Sequence, residues 1–365
     1  MNSKKYNNIK LGISILESLI SFILLFLFVF LGCSQNLEAI IREYSDNDYL
    51  VFLLFTIITG TGFSIIFFPL NFYSSYILEH KYNLSNQTIF KWAWENIKGV
   101  LVGGIIGLPI LLLFLYAIKS YDNLWWLPFA IMMFIISVVL AQVVPILILP
   151  IFYKITPLDI DELKDRILEL AKDAGMKIEN VFKFDMSKNT KKANAAFTGL
   201  GKTKRIILGD TLLENFTNDE IETVLAHEFG HYKHKHITKN LVISTLSSFL
   251  TFYLMALLFS VSIGWFGFTS IDTIAALPIL ALWAMLIGLI QTPLSNILSR
   301  KFEYEADEYA VKITKKKDVF INTLEKLTDQ NLGDKEPHSL VECFFYSHPS
   351  INNRKAKLLS VQIDE

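Results

Sequence analysis

Apolar residues along this chain are gathered into long runs that charged residues almost never interrupt. Residues 11–32 contain one charge, Glu17, and residues 49–78, 100–118 and 124–153 contain none. About 20 apolar residues are enough to cross a bilayer core of ~30 Å as a helix. Each of these runs therefore predicts one membrane-spanning helix. Glu17 either faces a polar cavity or extends toward the cytoplasmic interface.

A fifth apolar run, residues 241–299, is 59 residues long and contains a single charge, Asp272. This length is too great for one crossing and predicts a helical hairpin that turns near Asp272. The chain should thus have six spans. The predicted organisation is an N-terminal membrane region of four helices at residues 1–153, the hairpin, and one folded domain made from two polar segments, residues 154–240 and 300–365.

The composition excludes several other classes of protein. Of 365 residues, 52% are hydrophobic and 19% charged, and the mean hydropathy is +0.40. These values are too apolar for an ordinary soluble domain or a disordered chain. The net charge of −1 gives no electrostatic reason to expect a nucleic-acid partner. Two cysteines, Cys33 and Cys343, are too few for a disulfide framework or a multi-thiolate zinc site.

Basic residues predict which side of the membrane the polar segments occupy. Lys4, Lys5 and Lys10 precede the first span, and the segments after the second, fourth and sixth spans are also rich in lysine. The segment after the first span has Arg42 as its only basic residue. By the positive-inside rule, both termini and the folded domain should be cytoplasmic. The alternative, that residues 11–32 are a signal peptide, fits poorly because the apolar run is too long.

The first polar segment has the patterns of short helices and strands. Residues 159–175 predict an amphipathic helix that a glycine ends. Residues 181–186 and 205–210 predict strands, and residues 194–200, with the sequence NAAFTGL, predict an edge strand interrupted by glycine. These elements together predict an α+β domain beside the membrane helices.

A second helix in this segment carries the chemistry. Thr217 and Glu220 form a capping box, which opens a helix expected to run through residues 226–236. The sequence HEFGH lies on that helix at residues 227–231. It has the form H-E-x-x-H, which on a helix is typical of zinc metalloproteases.

The two outer histidines of HEFGH, His227 and His231, are four positions apart and share one helix face. Imidazoles at that spacing can bind one Zn²⁺ ion at ~2.0–2.1 Å. Glu228 lies beside the metal without binding it and can act as a general acid and base. The alternative is a helix with interfacial histidines, for which His234 and His236 nearby give some support.

A catalytic zinc ion keeps three protein ligands, and the segment after the sixth span offers a third. Glu303 and Asp307 are four apart on one helix face. Glu303 can supply a carboxylate ligand, and Asp307 can accept a hydrogen bond from a ligand histidine and orient it. Glu305 and Glu308 lie on other faces, where we expect solvated charge.

The C-terminal tail contains the sequence SHPSINNR, residues 347–354. His348 precedes a proline in a turn-like context. His348 and Arg354 can donate to a substrate carbonyl or to the developing oxyanion. From the sequence of the tail alone, the simpler interpretation is that His348 is a loop histidine and Arg354 a surface arginine.

The motifs HEFGH, SRKFEYEAD and SHPSINNR, in this order and around a hydrophobic hairpin, resemble those of the integral-membrane zinc proteases of the CAAX prenyl protease 1 type. The segments EHKYNLSNQT, residues 79–88, and NAAFTGLGKTKRIILGDTLL, residues 194–213, are also similar to that family. The resemblance covers most of the chain from about residue 79 onward. It implies a zincin-like metalloprotease domain at the cytoplasmic face of the membrane.

The resemblance also implies roles for individual residues. His227, His231 and Glu303 would bind one zinc ion, Glu228 would be the catalytic acid and base, and Asp307 would orient a ligand. His348 and Arg354 match positions that hold the substrate backbone. The strand expected to pair with an extended substrate peptide contains Asn194, Ala195, Ala196 and Phe197.

The chain departs from this family in its membrane region. The eukaryotic members have seven spans around a large intramembrane chamber, whereas this sequence predicts six, with the missing helix near the N-terminus. The zinc motifs are not affected by this difference.

Three functions remain open from the sequence, and the first two share all catalytic residues. The first is a CAAX-type endopeptidase that cuts near the C-terminus of a prenylated or otherwise lipid-anchored protein. The second is a general quality-control protease similar to the bacterial heat-shock membrane protease. The third is a membrane scaffold with a structural zinc site, which usually closes with four protein ligands. The expected partners are a membrane-held peptide or protein substrate and the bilayer of a bacterial inner membrane or an ER-type membrane.

Overall fold

The computed structural model describes residues 2–176, 181–198 and 205–362. Six helices in this part of the chain are long and apolar enough to cross a membrane, which confirms the predicted number of spans. Spans one to six are Ser3–Phe30, Asp48–Lys81, Ile89–Leu124, Trp126–Phe152, His236–Phe266 and Ile274–Thr314. The last two form the predicted hairpin, which turns at residues 267–273.

The six spans form a closed ring. Each span contacts the next one along the chain, and span six contacts span one. In spans one, four and five only 6% of the most apolar stretch is buried. The corresponding shares in spans two, three and six are 22%, 17% and 44%, so burial in the membrane region is greatest in span six.

A short helix, α1 (Cys33–Arg42), helps to close one end of the ring. Its Glu38 is buried, accepts a hydrogen bond from the backbone N–H of Ala275 at 2.7 Å and pairs with Arg42 at 2.8 Å. An apolar cluster that includes Trp125 and Phe259 packs at the same end. This helix was not predicted from the sequence, because a helix this short is stabilised by its contacts rather than by its own pattern.

The folded domain lies at the other end of the ring and contains a four-stranded sheet of order β1-β2-β4-β3. Its strands are β1 (Ile155–Pro157), β2 (Val181–Phe184), β3 (Ala195–Thr198) and β4 (Arg205–Gly209). Strand β3 pairs antiparallel with β4 alone among the described residues. This confirms the predicted edge strand, although the last two residues of its predicted range lie outside the described part of the chain.

Six helices of the described chain complete the folded domain. In chain order they are α2 (Asp161–Asp173), α3 (Asp210–Asn215), α4 (Asn218–Lys233), α5 (Lys317–Gln330), α6 (Ser339–Phe345) and α7 (Ile351–Leu359). Helix α2 is the predicted amphipathic helix. It buries Leu163, Ile167 and Leu170, and Gly175 follows it with φ +77°.

Helix α4 begins with the predicted capping box. The Thr217 hydroxyl accepts a hydrogen bond from the backbone N–H of Glu220, and the Glu220 carboxylate accepts one from that of Thr217. The helix ends at Lys233 rather than continuing through His236 as predicted. Lys235 has φ +56° and turns the chain, so that span five starts as a separate helix.

The N-terminus and the connection between spans two and three contact the folded domain. The backbone N–H of Asn86 donates to Asn189 O at 3.1 Å, and that of Lys191 donates to Leu84 O at 2.9 Å. Asn7 at the start of span one donates to Leu332 O at 2.7 Å. The start of span one, the connection between spans two and three and the folded domain therefore share one end of the ring.

The capping box of α4 yields a first prediction. Thr217→Ala removes the hydroxyl that accepts the Glu220 N–H and should destabilise the protein by about 1 kcal/mol, measured as a lower Tm in detergent. Thr217→Ser keeps the acceptor and should leave the Tm close to that of the wild type. Equal losses in both variants would show that the cap is not what stabilises this helix.

Candidate metal centre

Three predicted metal ligands converge where α4 meets the end of span six. The Nε2 atoms of His227 and His231 lie 3.2 Å apart. Glu303 Oε2 lies 3.4 Å from His227 Nε2, and Glu303 Oε1 lies 3.2 Å from His231 Nε2. The ligand atoms are all within 4.8 Å of one another. Two nitrogens and one carboxylate around a common point form a donor set that can hold one metal ion.

The state of Glu303 supports this interpretation. The residue is 4% exposed, and its Oε2 has no hydrogen bond of good geometry within the described chain, although His348 Nδ1 lies 2.9 Å away. A buried carboxylate oxygen without such a partner is costly. A metal ion bound between Glu303 and the two histidines would satisfy it.

A buried charge pair holds His227 in place. Its Nδ1 lies 2.8 Å from Asp307 Oδ1, and Asp307 accepts two hydrogen bonds from the guanidinium of Arg354, one of them from Nε at 2.8 Å. Burial opposes a charge on His227, but the bonds and charges of Asp307 and Glu303 outweigh it and raise its pKa to about 10. Asp307 likewise keeps the pKa of buried Arg354 above its usual value. The contact of Nδ1 with Asp307 leaves the Nε2 of His227 facing Glu303 and the candidate metal position.

The other predicted site residues surround one cavity of about 420 Å³ beside the ligands. It is lined by Glu228, His348 and Arg354, and by Asn194 and Ala195 at the start of strand β3. The His348 side chain is 66% exposed, so it is open to a bound substrate. The structure thus brings the acid–base candidate, the tail residues and the edge strand together.

The remaining residues of the predicted substrate strand lie further along β3. Ala196 pairs with Ile207 and Phe197 pairs with Ile206 through the backbone. The Phe197 side chain falls outside the described part of the structure.

One contact that fixes this geometry was not predicted. Gly230, inside HEFGH, packs against the backbone of span six so closely that a Cβ atom built there would lie 2.8 Å from Ala306 Cα. Ala306 itself is fully buried. This close approach brings the helix with the two candidate histidine ligands to the helix with Glu303. In the sequence, the small side chains of Gly230 and Ala306 are the signal that could have indicated this contact.

The interpretation of Glu305 as solvated charge was wrong. Its Oε2 lies 2.9 Å from His236 Nε2, at the start of span five. The helical period correctly places Glu305 away from Glu303, but the pattern does not show that span five lies there. Glu308 is 43% exposed and pairs with Lys312, in agreement with the prediction.

Comparisons with known proteins agree with this site. The model of peptidase family M48 matches residues 157–362. The chain belongs to peptidase family M48. A second model, described as the CAAX prenyl protease N-terminal region with five membrane helices, matches residues 1–154. Together with the six spans, these matches make the protein an integral-membrane metalloprotease, and the predicted resemblance is confirmed.

Individual M48 relatives cover most of the chain. CAAX prenyl protease 1 of Saccharomyces cerevisiae is 34% identical over 81% of this chain and 69% of its own length. An uncharacterized metalloprotease of Bacillus subtilis, YhfN, is 30% identical over 96% and 83%. The crystal structure of Ste24p from S. mikatae superposes with a TM-score of 0.86 at 28% identity, covering 98% of this chain and 88% of that one.

The membrane region of this M48 chain has one helix fewer than the N-terminal family model describes. Four candidate spans lie within its described residues up to Phe152. Helix α1 lies in the connection between spans one and two. At ten residues, it is too short to cross a bilayer.

The contact at Gly230 gives a second prediction. Gly230→Ala places a methyl group against the backbone of span six, which should cost about 1–3 kcal/mol of stability and separate Glu303 from the two histidines. We expect a lower Tm and lower metal content after purification. Gly288→Ala is the matched control, because a Cβ there meets nothing within 4 Å. Unchanged metal content in Gly230→Ala would contradict the proposed role of the contact.

Proposed function

We propose that this M48 protein is a zinc endopeptidase that cuts membrane-held substrates at the cytoplasmic face, with CAAX-type cleavage near a lipidated C-terminus as its main activity. The observation that carries the proposal is the convergence of three ligand atoms beside a cavity lined by Glu228 and by an edge strand. Zinc, a nearby acid–base group and a backbone-binding strand are what peptide hydrolysis requires.

His227, His231 and Glu303 would hold the ion, and the donor set supports zinc over other metals. Imidazole nitrogen and carboxylate oxygen in a group of three match catalytic zinc sites, which leave a fourth position open. Among the described residues no fourth ligand joins the group, which argues against a structural zinc in a membrane scaffold. When bound, zinc supplies a Lewis acid that activates water and polarises the scissile carbonyl.

The chain's own residues would do the remaining chemistry. Glu228 is half-buried at the cavity wall, where it can accept the proton of the attacking water and pass it to the leaving amine. His348, exposed beside Glu303, can donate to the developing oxyanion. The Arg354 guanidinium is held by Asp307, and it also lines the cavity. We propose that Arg354 fixes the position of Asp307 and contacts the bound substrate from the cavity wall.

Strand β3 would bind the substrate backbone. Its outer edge is unpaired within the described chain, and its first residues line the cavity. An extended peptide that adds to this edge gains main-chain hydrogen bonds and runs past the metal ligands. Asn194, Ala195, Ala196 and Phe197 are the residues we assign to this pairing.

The height of the site favours substrates held by the bilayer. Span six continues as one helix, Pro278–Thr314, through Glu303 and Asp307. Glu303 lies about 6 Å beyond Ser299, the end of the apolar run, at 1.5 Å per residue. The lysine distribution supports a cytoplasmic location for this end and for both termini. We therefore divide the chain into membrane residues 1–153, domain residues 154–240, the hairpin 241–299 and domain residues 300–365.

The names of the relatives bear on the substrate. The yeast protein is named CAAX prenyl protease 1, and a human protein that is 30% identical over 88% of this chain is named CAAX prenyl protease 1 homolog. This supports a prenylated or otherwise lipidated C-terminal peptide as the substrate. The bacterial relative, which covers nearly the whole chain, favours a second candidate function. That candidate is quality control of membrane proteins, since CAAX prenylation is a eukaryotic modification.

The role of Glu228 gives a third prediction. Glu228→Gln keeps the size and the neighbouring ligands but removes the proton acceptor, so cleavage should fall by about 10²–10⁴-fold. Zinc content, measured by elemental analysis, should equal that of the wild type. Wild-type activity in this variant would exclude Glu228 as the acid–base group.

The substrate class gives a fourth prediction. Purified wild type in detergent should cut a farnesylated CAAX peptide faster than the same peptide without the lipid, and faster than unfolded casein. Mass spectrometry of the products would locate the cut. Cleavage of casein alone would contradict the CAAX assignment and favour the quality-control function.

A further inference from the structure

His231, the second histidine ligand, contacts another histidine on its far side. Its Nδ1 lies 3.0 Å from the Nδ1 of His236, and the Nε2 of His236 lies 2.9 Å from Glu305 Oε2. This chain of contacts leads from the metal position into the junction of span five and span six. None of it involves the cavity where substrate would bind.

His236 is held firmly in this position. It is 1% exposed, and its ring stacks on Phe302 with centroids 4.2 Å apart and an angle of 11°. The turn at Lys235, with φ +56°, ends α4 and brings His236 back beneath His231. An Asn or Gly would adopt this backbone conformation more readily than a lysine, so the turn is maintained by the contacts around it.

Only one proton arrangement satisfies every atom in this series when the metal is bound. If the Nε2 of His231 holds a metal, the proton of His231 would be on Nδ1 and would be donated to His236 Nδ1. His236 is then neutral, carries its proton on Nε2 and donates it to the carboxylate of Glu305. Lys239 and Lys301 each lie 3.9 Å from Glu305 and keep negative charge on it favourable.

We propose that His236 and Glu305 are positioning residues for the metal site, acting through His231. They fix the tautomer and ring angle of His231 as Asp307 fixes those of His227, with one more imidazole between ligand and carboxylate. Hydrogen-bond partners of this kind change metal affinity by about 10–100-fold when removed. The inference rests on the proposed zinc site and extends it to a residue at the start of span five.

The test is a zinc-affinity measurement by competition with a chromophoric chelator on the full-length protein in detergent. His236→Leu removes the acceptor for His231 and should weaken zinc binding by about 10–100-fold. His236→Asn keeps an acceptor oxygen near the Nδ1 position and should restore most of the affinity. Glu305→Gln keeps the shape and removes only the charge, so an intermediate loss is expected.

Glu308→Gln is the matched control, because this half-exposed residue lies one turn further along the same helix. It should bind zinc like the wild type. The Co²⁺-substituted protein gives a second measurement, since a rotated His231 changes the visible absorption of the ion. Folding of each variant is checked by its Tm. If His236→Leu does not fold, the zinc affinity of Glu305→Gln tests the inference instead.

Wild-type zinc affinity in both His236→Leu and Glu305→Gln would overturn the inference. So would a loss that His236→Asn does not restore, because that result would mean a packing role for the ring. A wild type that binds no zinc would instead overturn the proposed function, and this inference with it.

Discussion

The close approach of α4 to span six is the contact on which the rest of the site depends. His227 and His231 come from one helix and Glu303 from the other, so the metal position exists only while the two backbones touch near Gly230 and Ala306. Most of span six is one helix, Pro278–Thr314, of 37 residues and ~55 Å at 1.5 Å per residue. Glu303 and Asp307 belong to the same helix as the apolar stretch, although Pro293 lies inside this helix, so in the proposed site the bilayer would set the height of the metal ligands.

The same junction buries charge, which dictates the rest of the local structure. Asp307 is 1% exposed, and an unpaired carboxylate there would cost several kcal/mol. Arg354 and His227 supply its partners, one from the C-terminal helix α7 and one from α4. The tail is thus fixed to the metal site through Asp307. Because Arg354 is fixed, His348, which lies six residues before it in the chain, is held beside Glu303 without a rigid loop.

The sequence predicted the spans, the edge strand, the capping box and the convergence of His227, His231 and Glu303 because each depends on short-range spacing. HEFGH and Glu303–Asp307 follow the helical period, and the apolar runs follow the thickness of a bilayer. It missed helix α1, the break at Lys235 and the contact of Glu305 with His236. These three features depend on which elements pack against each other. The residue pattern on one helix face does not indicate which element packs against that face.

If a substrate binds to strand β3, other parts of the molecule must determine which substrates are selected. Main-chain hydrogen bonds to an edge strand are the same for every extended peptide, so this pairing gives affinity with little discrimination. Discrimination has to come from which peptides reach the strand. A metal site fixed to span six, at one end of a closed ring of spans, is reached most readily by a chain already held in the bilayer. In the proposed function, the ring and the height of the site would then act as the specificity element. Span six contacts span one directly, so the six described spans close the ring.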